Sequence, residues 1–193
     1  MRKIIGILLA AGSSRRFGSN KLSQILPNGE IVAVQACLNL LAGTDQVLAV
    51  VRPGSAALTA QLQASGAKTV ICEQADLGMA TSLICGVSAG PEAAGWLIAL
   101  ADMPWVAPAT IRQVAEQLRQ GAILAAPFYQ GRRGHPVGFS RVLGPELLTL
   151  SGDAGAQAII KAHLLQLRSV ACDDPGILQD IDLPEDLNPK HIK

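Results

Sequence analysis

Short, unbroken apolar runs alternate along this chain with segments whose apolar residues recur at helical spacing, and no other feature constrains the fold as much. The runs Ile4–Ala10, Gln46–Val51, Lys68–Cys72, Trp96–Ala101, Ile123–Pro127, Pro136–Phe139 and Leu167–Ala171 read as strands. Their hydrophobicity is continuous rather than alternating, so both faces of each strand are covered, as in a largely parallel sheet. Helical patterns lie between them at Val32–Leu41, Ala56–Ala64, Thr81–Ala89, Pro108–Gln120 and Ala154–His163. Ser55 and Asp153 suit N-cap positions, Pro108 a first helical turn, and Gly43, Gly66, Gly90 and Gly121 helix exits. A strand–helix rhythm of this kind predicts a three-layer α/β/α sandwich. It breaks between about Gln130 and Gly152, where Gln130-Gly131-Arg132-Arg133-Gly134 reads as a hairpin turn and its flanks as a small antiparallel excursion over the site.

No Pro/Ser/Gly-rich linker or charge run divides the 193 residues, so one domain spanning 1–193 is expected. With 49% hydrophobic and 16% charged residues, the chain has ample apolar surface to offset ordering entropy. A net charge of +1 and 3% aromatics supply neither the basic field nor the stacking platform that nucleic acid requires. No apolar run approaches the roughly 18 residues of a membrane span. The opening Met1-Arg2-Lys3 and apolar Ile4–Ala11 lead straight into Gly-Ser-Ser-Arg-Arg, which reads as a first strand rather than a signal peptide. Cys37, Cys72, Cys85 and Cys172 are widely spaced, without a CxxC pair or neighbouring His, and read as buried thiols of a cytoplasmic protein rather than zinc ligands or a disulfide framework.

The first run passes directly into a small-residue loop, Leu8-Leu9-Ala10-Ala11-Gly12-Ser13-Ser14-Arg15-Arg16-Phe17-Gly18-Ser19-Asn20-Lys21. Gly12 and Gly18 let backbone N–H groups approach an anion, and Arg15, Arg16 and Lys21 supply charge to neutralise a polyphosphate. Neither G-x-x-x-x-G-K-[ST] nor G-x-G-x-x-G is present, which excludes the two commonest phosphate loops. Asp102 closes the run Trp96–Ala101 and precedes Met103-Pro104, so its carboxylate projects from the sheet rim. In open α/β sheets, ligands gather at the carboxyl ends of strands where strand order reverses, and both features belong at that rim.

The order A-A-G-x-S-x-R-x-G-x-x-K resembles the signature of nucleotidyltransferases, and within them the chain most resembles the molybdenum cofactor cytidylyltransferases. Supporting segments follow in order: Gly78-Met79-Ala80-Thr81-Ser82-Leu83, Ala101-Asp102-Met103-Pro104, Arg132-Arg133-Gly134-His135-Pro136-Val137, Gly152-Asp153-Ala154-Gly155-Ala156 and Asp180-Ile181-Asp182-Leu183-Pro184-Glu185-Asp186. The resemblance implies a Rossmann-like, mostly parallel sheet of the nucleotidyltransferase type. It also implies Mg²⁺-dependent transfer of CMP from CTP to molybdopterin cofactor, with a molybdoenzyme or its chaperone as a further partner.

On this resemblance Leu9, Ala10, Ala11, Gly12, Ser14, Arg16, Gly18, Lys21, Gly78, Met79 and Ser82 hold the nucleotide, Arg16, Lys21 and Asp102 are catalytic, and Asp102 and Asp182 hold the metal. Asp180 competes with Asp182, because residues two apart in an extended segment face the same side. Arg133, His135 and Asp153 are the acceptor contacts, with hairpin-tip or helix-capping roles as their structural alternatives. An Ala-Ala-Gly opening goes with CTP in this family and a Gly-Gly opening with GTP. Gln157 stands where an Arg is usual and Ala101 where a Gly is common, departures that bear on the acceptor more than on the nucleotide. A related transferase using GTP or another phosphorylated acceptor is the nearest alternative. A non-catalytic cofactor carrier is the alternative of a different class, though a carrier has no use for a metal–phosphate centre.

Overall fold

A computed structural model describes residues 3–12, 17, 20–152 and 155–188. Along the chain come β1 (Ile4–Ala10), α1 (Val32–Leu41), β2 (Gln46–Val51), α2 (Ala56–Ala64), β3 (Lys68–Ile71), α3 (Met79–Ala89), β4 (Gly95–Leu100) and α4 (Pro108–Arg119). They are followed by β5 (Leu124–Tyr129), β6 (Arg132–Arg133), β7 (Val137–Ser140), α5 (Gly144–Leu147), α6 (Gln157–Ala162) and β8 (Leu167–Ala171). The sheet runs β3-β2-β1-β4-β7-β5-β6, with β8 added beside β5. β3, β2, β1 and β4 are mutually parallel, and β8 is parallel to β5. β7 pairs antiparallel with both β4 and β5.

Alternation along β1 divides the core into two layers. Ile4, Leu8 and Ala10 pack among Leu40 of α1, Leu58 and Leu62 of α2, and Ile111, Val114 and Leu118 of α4. Ile5 and Ile7 point the other way, among Leu83 and Val87 of α3, Leu147 of α5, and Ile159 and Ile160 of α6. Helices therefore cover both faces, and the sheet is the middle layer of an α/β/α sandwich. Each fully buried Leu or Ile contributes about 1.5–3 kcal/mol.

The antiparallel excursion differs in place from the sequence expectation. Instead of lying over the site, β7 is inserted between β4 and β5, with Val137 and Phe139 buried in the α3-side core. Only the tip, β6, projects, pairing Arg133 with Phe128 and Arg132 with Tyr129. Between β6 and β7 the ladder breaks at Gly134-His135-Pro136, where the His135–Pro136 bond is cis and His135 N–H donates to the Ile177 carbonyl at 3.0 Å.

The last predicted helix begins later than its pattern suggested. Gly155 has φ +53°, outside the right-handed helical region, so α6 starts only at Gln157. The expected cap, Asp153, lies outside the described residues. Ser55 occupies the N-cap position of α2 but makes no capping bond; its hydroxyl donates instead to the Arg52 carbonyl at 2.6 Å. Cys37 and Cys72 are buried thiols as expected, whereas Cys85 and Cys172 are only partly covered.

A remote carboxylate caps α4. Asp174, 8% exposed, accepts from Ala107 N–H at 2.9 Å and the Thr110 hydroxyl at 2.7 Å through one oxygen, and from Gly176 N–H at 3.0 Å through the other. It ties the segment after β8 to the start of α4. Asp174→Ala removes all three acceptor contacts and leaves buried donors unpaired, an expected loss of about 2–4 kcal/mol. In a chain of this size that corresponds to a melting temperature lower by roughly 5–15 °C in a thermal scan.

Candidate active site

β1 feeds α1 and then β2 on one side, whereas β4 lies on β1's other side, so strand order reverses between β1 and β4. The carboxyl ends of these two strands carry Ala11-Gly12 and Ala101-Asp102. Lys21 comes to the same rim on a single tight turn, Lys21–Ser23, capped by Asn20, whose side-chain oxygen accepts from Leu22 N–H at 3.2 Å. Leu22 is buried in the core and fixes the backbone beside Lys21.

A small apolar cluster draws the third element in. Phe17, Leu26, Val32 and Ile181 are buried together, with Trp105 and Leu187 against them. Ile181 N–H donates to the Asp102 carbonyl at 2.9 Å, which fastens the Asp180–Asp182 segment to the end of β4. Asp186 holds the far side, its carboxylate accepting from Asp182 N–H at 3.2 Å and Leu183 N–H at 2.9 Å.

These anchors bring two carboxylates onto one cation. Lys21 Nζ lies 2.7 Å from Asp102 Oδ2 and 3.0 Å from Asp182 Oδ1. Burial works against the charged form of Lys21, but Asp102 and then Asp182 outweigh it and hold the lysine above its ordinary pKa. Of the competing acids, Asp182 is the one that faces Lys21. Asp180 is exposed, and its charge acts on His135 instead.

The two carboxylates are hard oxygen donors that converge on one point, where they share the Lys21 ammonium. Among the described residues no group of three or more His, Cys, Asp or Glu could hold a metal. Two carboxylates match Mg²⁺, which takes one or two from protein and completes its shell with phosphate oxygens and water. The residues present fit that ion only in company with a polyphosphate.

Beside this rim, on the α3 side of the sheet, lies a cavity of about 330 Å³. Leu9, Leu100, Met79, Val137, His135 and Gln157 are among its walls. Gly78 opens α3 with φ +119°, a conformation that favours glycine, and leaves the helix without a side-chain cap. Gly152 accepts from Ala80 N–H at 3.2 Å, joining the loop before α6 to the start of α3. Ser82 is buried at 5% rather than facing solvent. Ala10 and Ala11 are buried, while Gly12 is exposed with open space where a Cβ would stand. Ser14, Arg16, Gly18 and Asp153 lie outside the described residues.

At the end of β6, Arg133 donates to Gln157 Oε1 at 3.0 Å. The residue replacing the family's usual Arg is thus the partner of the hairpin arginine, a link visible only in three dimensions. His135 is partly buried, and its Nδ1 is enclosed without a hydrogen-bond partner. Enclosure and then the neighbouring Arg133 lower its pKa, against weaker opposing effects from Ile98, Asp102 and Asp180, so the ring is neutral at pH 7. Since the folded pKa lies below the unfolded value of about 6.5, the unfolded chain takes the extra proton first. Stability from His135 is complete above about pH 6.5 and declines as pH falls below it. His163, raised by Glu146, titrates in the opposite sense. Melting temperatures from pH 7.5 to 5 are expected to fall less steeply for His135→Gln than for wild type, and parallel curves would remove His135 as the cause.

Most of the Gly- and Arg-bearing segment after β1 lies outside the described residues; at the switch point itself the structure shows Lys21 held between Asp102 and Asp182. The MobA-like NTP transferase domain model matches residues 6–168, and the chain belongs to that family. It is similar to purine catabolism protein PucB of Bacillus subtilis (strain 168), with 31% identity over 193 residues, 95% of this chain and 93% of that one. Nicotine blue oxidoreductase of Paenarthrobacter nicotinovorans is 27% identical over 192 residues, 95% and 94% of the two chains. The crystal structure of Rv0371c from Mycobacterium tuberculosis H37Rv superimposes with a TM-score of 0.78 at 30% identity, covering 96% of this chain and 95% of that one. A complex of Rv0371c with manganese gives 0.74 at 29% identity, covering 95% of each chain. Among the described residues no helix is long and apolar enough to cross a membrane.

Proposed function

We propose that this protein transfers CMP from CTP to molybdopterin cofactor and releases pyrophosphate, with Mg²⁺ as the metal. The observation that carries the proposal is the convergence of Asp102 and Asp182 on Lys21 at the β1/β4 switch point. A relative with 29% identity, Rv0371c, forms a complex with manganese, which supports a divalent cation in this chain's reaction.

In this reading an acceptor phosphate oxygen forms a bond to the α-phosphorus of CTP as the bond from that phosphorus to the bridging oxygen breaks. Pyrophosphate leaves on the opposite side. Crowded negative charge is the obstacle, so the work is positioning and charge stabilisation, without a covalent intermediate on the protein. Lys21 and Arg16 bind the β- and γ-phosphates, with the N–H groups of Ala11 and Gly12 at the same strand end. Asp102 and Asp182 would hold Mg²⁺, which would supply charge to neutralise the triphosphate and the departing pyrophosphate. Gly78, Met79 and Ser82 position the nucleoside. Arg133, with Gln157, meets the anionic end of the acceptor, and neutral His135 in the cavity wall offers a hydrogen bond without adding charge.

CTP is expected over GTP by at least about tenfold in kcat/KM, because a pocket fitted to a pyrimidine rejects the larger purine edge. A panel of CTP, GTP, ATP and UTP with molybdopterin cofactor, read by pyrophosphate release, tests both base and reaction. A preference for GTP contradicts the base assignment. Nucleotide-independent cofactor binding without pyrophosphate release contradicts the transferase reading.

A further inference from the structure

The seat between Asp102 and Asp182 is filled by the protein's own cation. Lys21 Nζ contacts one oxygen of each carboxylate, at 2.7 and 3.0 Å, and so occupies the space between them where a dication held by both would have to sit. An ammonium and a dication cannot share that space, and placing them side by side adds strong like-charge repulsion.

The lysine stem can resolve the conflict. Its backbone is fixed by the Asn20 cap and by buried Leu22, whereas four methylenes let the ammonium swing. Lys21 also ends the phosphate loop, so an arriving triphosphate competes with the two carboxylates for the same ammonium. Resting on the nucleotidyl-transfer reading above, we infer that Lys21 is a built-in placeholder that keeps the Asp102–Asp182 pair closed to divalent cations until a triphosphate draws it away. Lysine release then couples the two ligands: the triphosphate opens the metal seat, and by linkage the metal favours the lysine position that grips phosphate. With two carboxylates and no third ligand group among the described residues, the free protein neither needs nor retains the ion.

The test uses Mn²⁺ alone, titrated into nucleotide-free protein and followed by the loss of the free-ion electron paramagnetic resonance signal. Wild type is expected to bind weakly. Lys21→Met and the more polar Lys21→Gln, each checked for folding by circular dichroism, are expected to bind at least about tenfold more tightly, within the usual range of site–site coupling. Adding Asp102→Asn to Lys21→Met should abolish the gain. Equal affinity in wild type and both single variants overturns the placeholder, as does a gain that survives Asp102→Asn. Pyrophosphate release from CTP by the same wild-type preparation separates the two proposals: release without the Mn²⁺ gain overturns the placeholder alone, and the gain without release overturns the transfer reading alone.

Discussion

Asp102→Asn is expected to lower pyrophosphate release by about three orders of magnitude while leaving the protein folded. The change keeps shape and removes charge. Folding is spared because the backbone bond from Ile181 uses the Asp102 carbonyl, not its side chain, and because the carboxylate is partly solvated at 21% exposure. Lys21 also keeps Asp182 as a partner when the Asp102 charge is gone. Asp182→Asn should act in the same direction less severely, since its carboxylate is more exposed, at 43%. Asp180→Asn should be mild, because Asp180 does not face Lys21. Mg²⁺ titrations of pyrophosphate release in the three variants, beside thermal melts, check the ordering. A more damaging change at Asp180 than at Asp182 would move the second ligand there.

Lys21→Ala is expected to cost about two to three decades in kcat/KM, the loss of one charge-assisted phosphate contact or roughly 3–4 kcal/mol of transition-state stabilisation. Its effect on folding is smaller, because Asn20 and Leu22, not the ammonium, fix the turn. The variant also leaves Asp102 and Asp182 facing each other without their shared cation, so its Mg²⁺ dependence should change as well as its rate. Steady-state kinetics with varied CTP and Mg²⁺ measure both. An unchanged kcat/KM would remove Lys21 from phosphate binding.

Much of this arrangement is legible in the sequence, for reasons that particular residues make plain. β1 and β2 are unbroken apolar runs bounded by polar or small residues, and their limits follow from the residues alone. Pro108 and Gly121 likewise bracket α4 through fixed φ at one end and a positive φ at the other. Strand direction is another matter: β7 is buried on both faces, and a doubly buried strand has the same composition whether its neighbours run with it or against it. Asp102 stands out because a charge directly beside an apolar strand needs a reason, and Lys21 because it closes the A-A-G-x-S-x-R-x-G-x-x-K pattern. Alternation in an extended segment cannot separate Asp180 from Asp182; what distinguishes them in the structure is the 3.0 Å contact of the Asp182 carboxylate with Lys21. Asp174 capping α4 and Arg133 meeting Gln157 join positions 64 and 24 residues apart, and no local pattern encodes such pairs.

Metal-assisted transfer is proposed at the seat shared by Lys21, Asp102 and Asp182. Its most direct test is pyrophosphate release from CTP and molybdopterin cofactor as Mg²⁺ is titrated into chelator-treated wild type and Asp102→Asn. Transfer at this seat predicts no release without the ion, saturable release in wild type, and near-complete loss in Asp102→Asn at every Mg²⁺ concentration. Release that persists in chelator, or an Asp102→Asn curve that matches wild type, would contradict it.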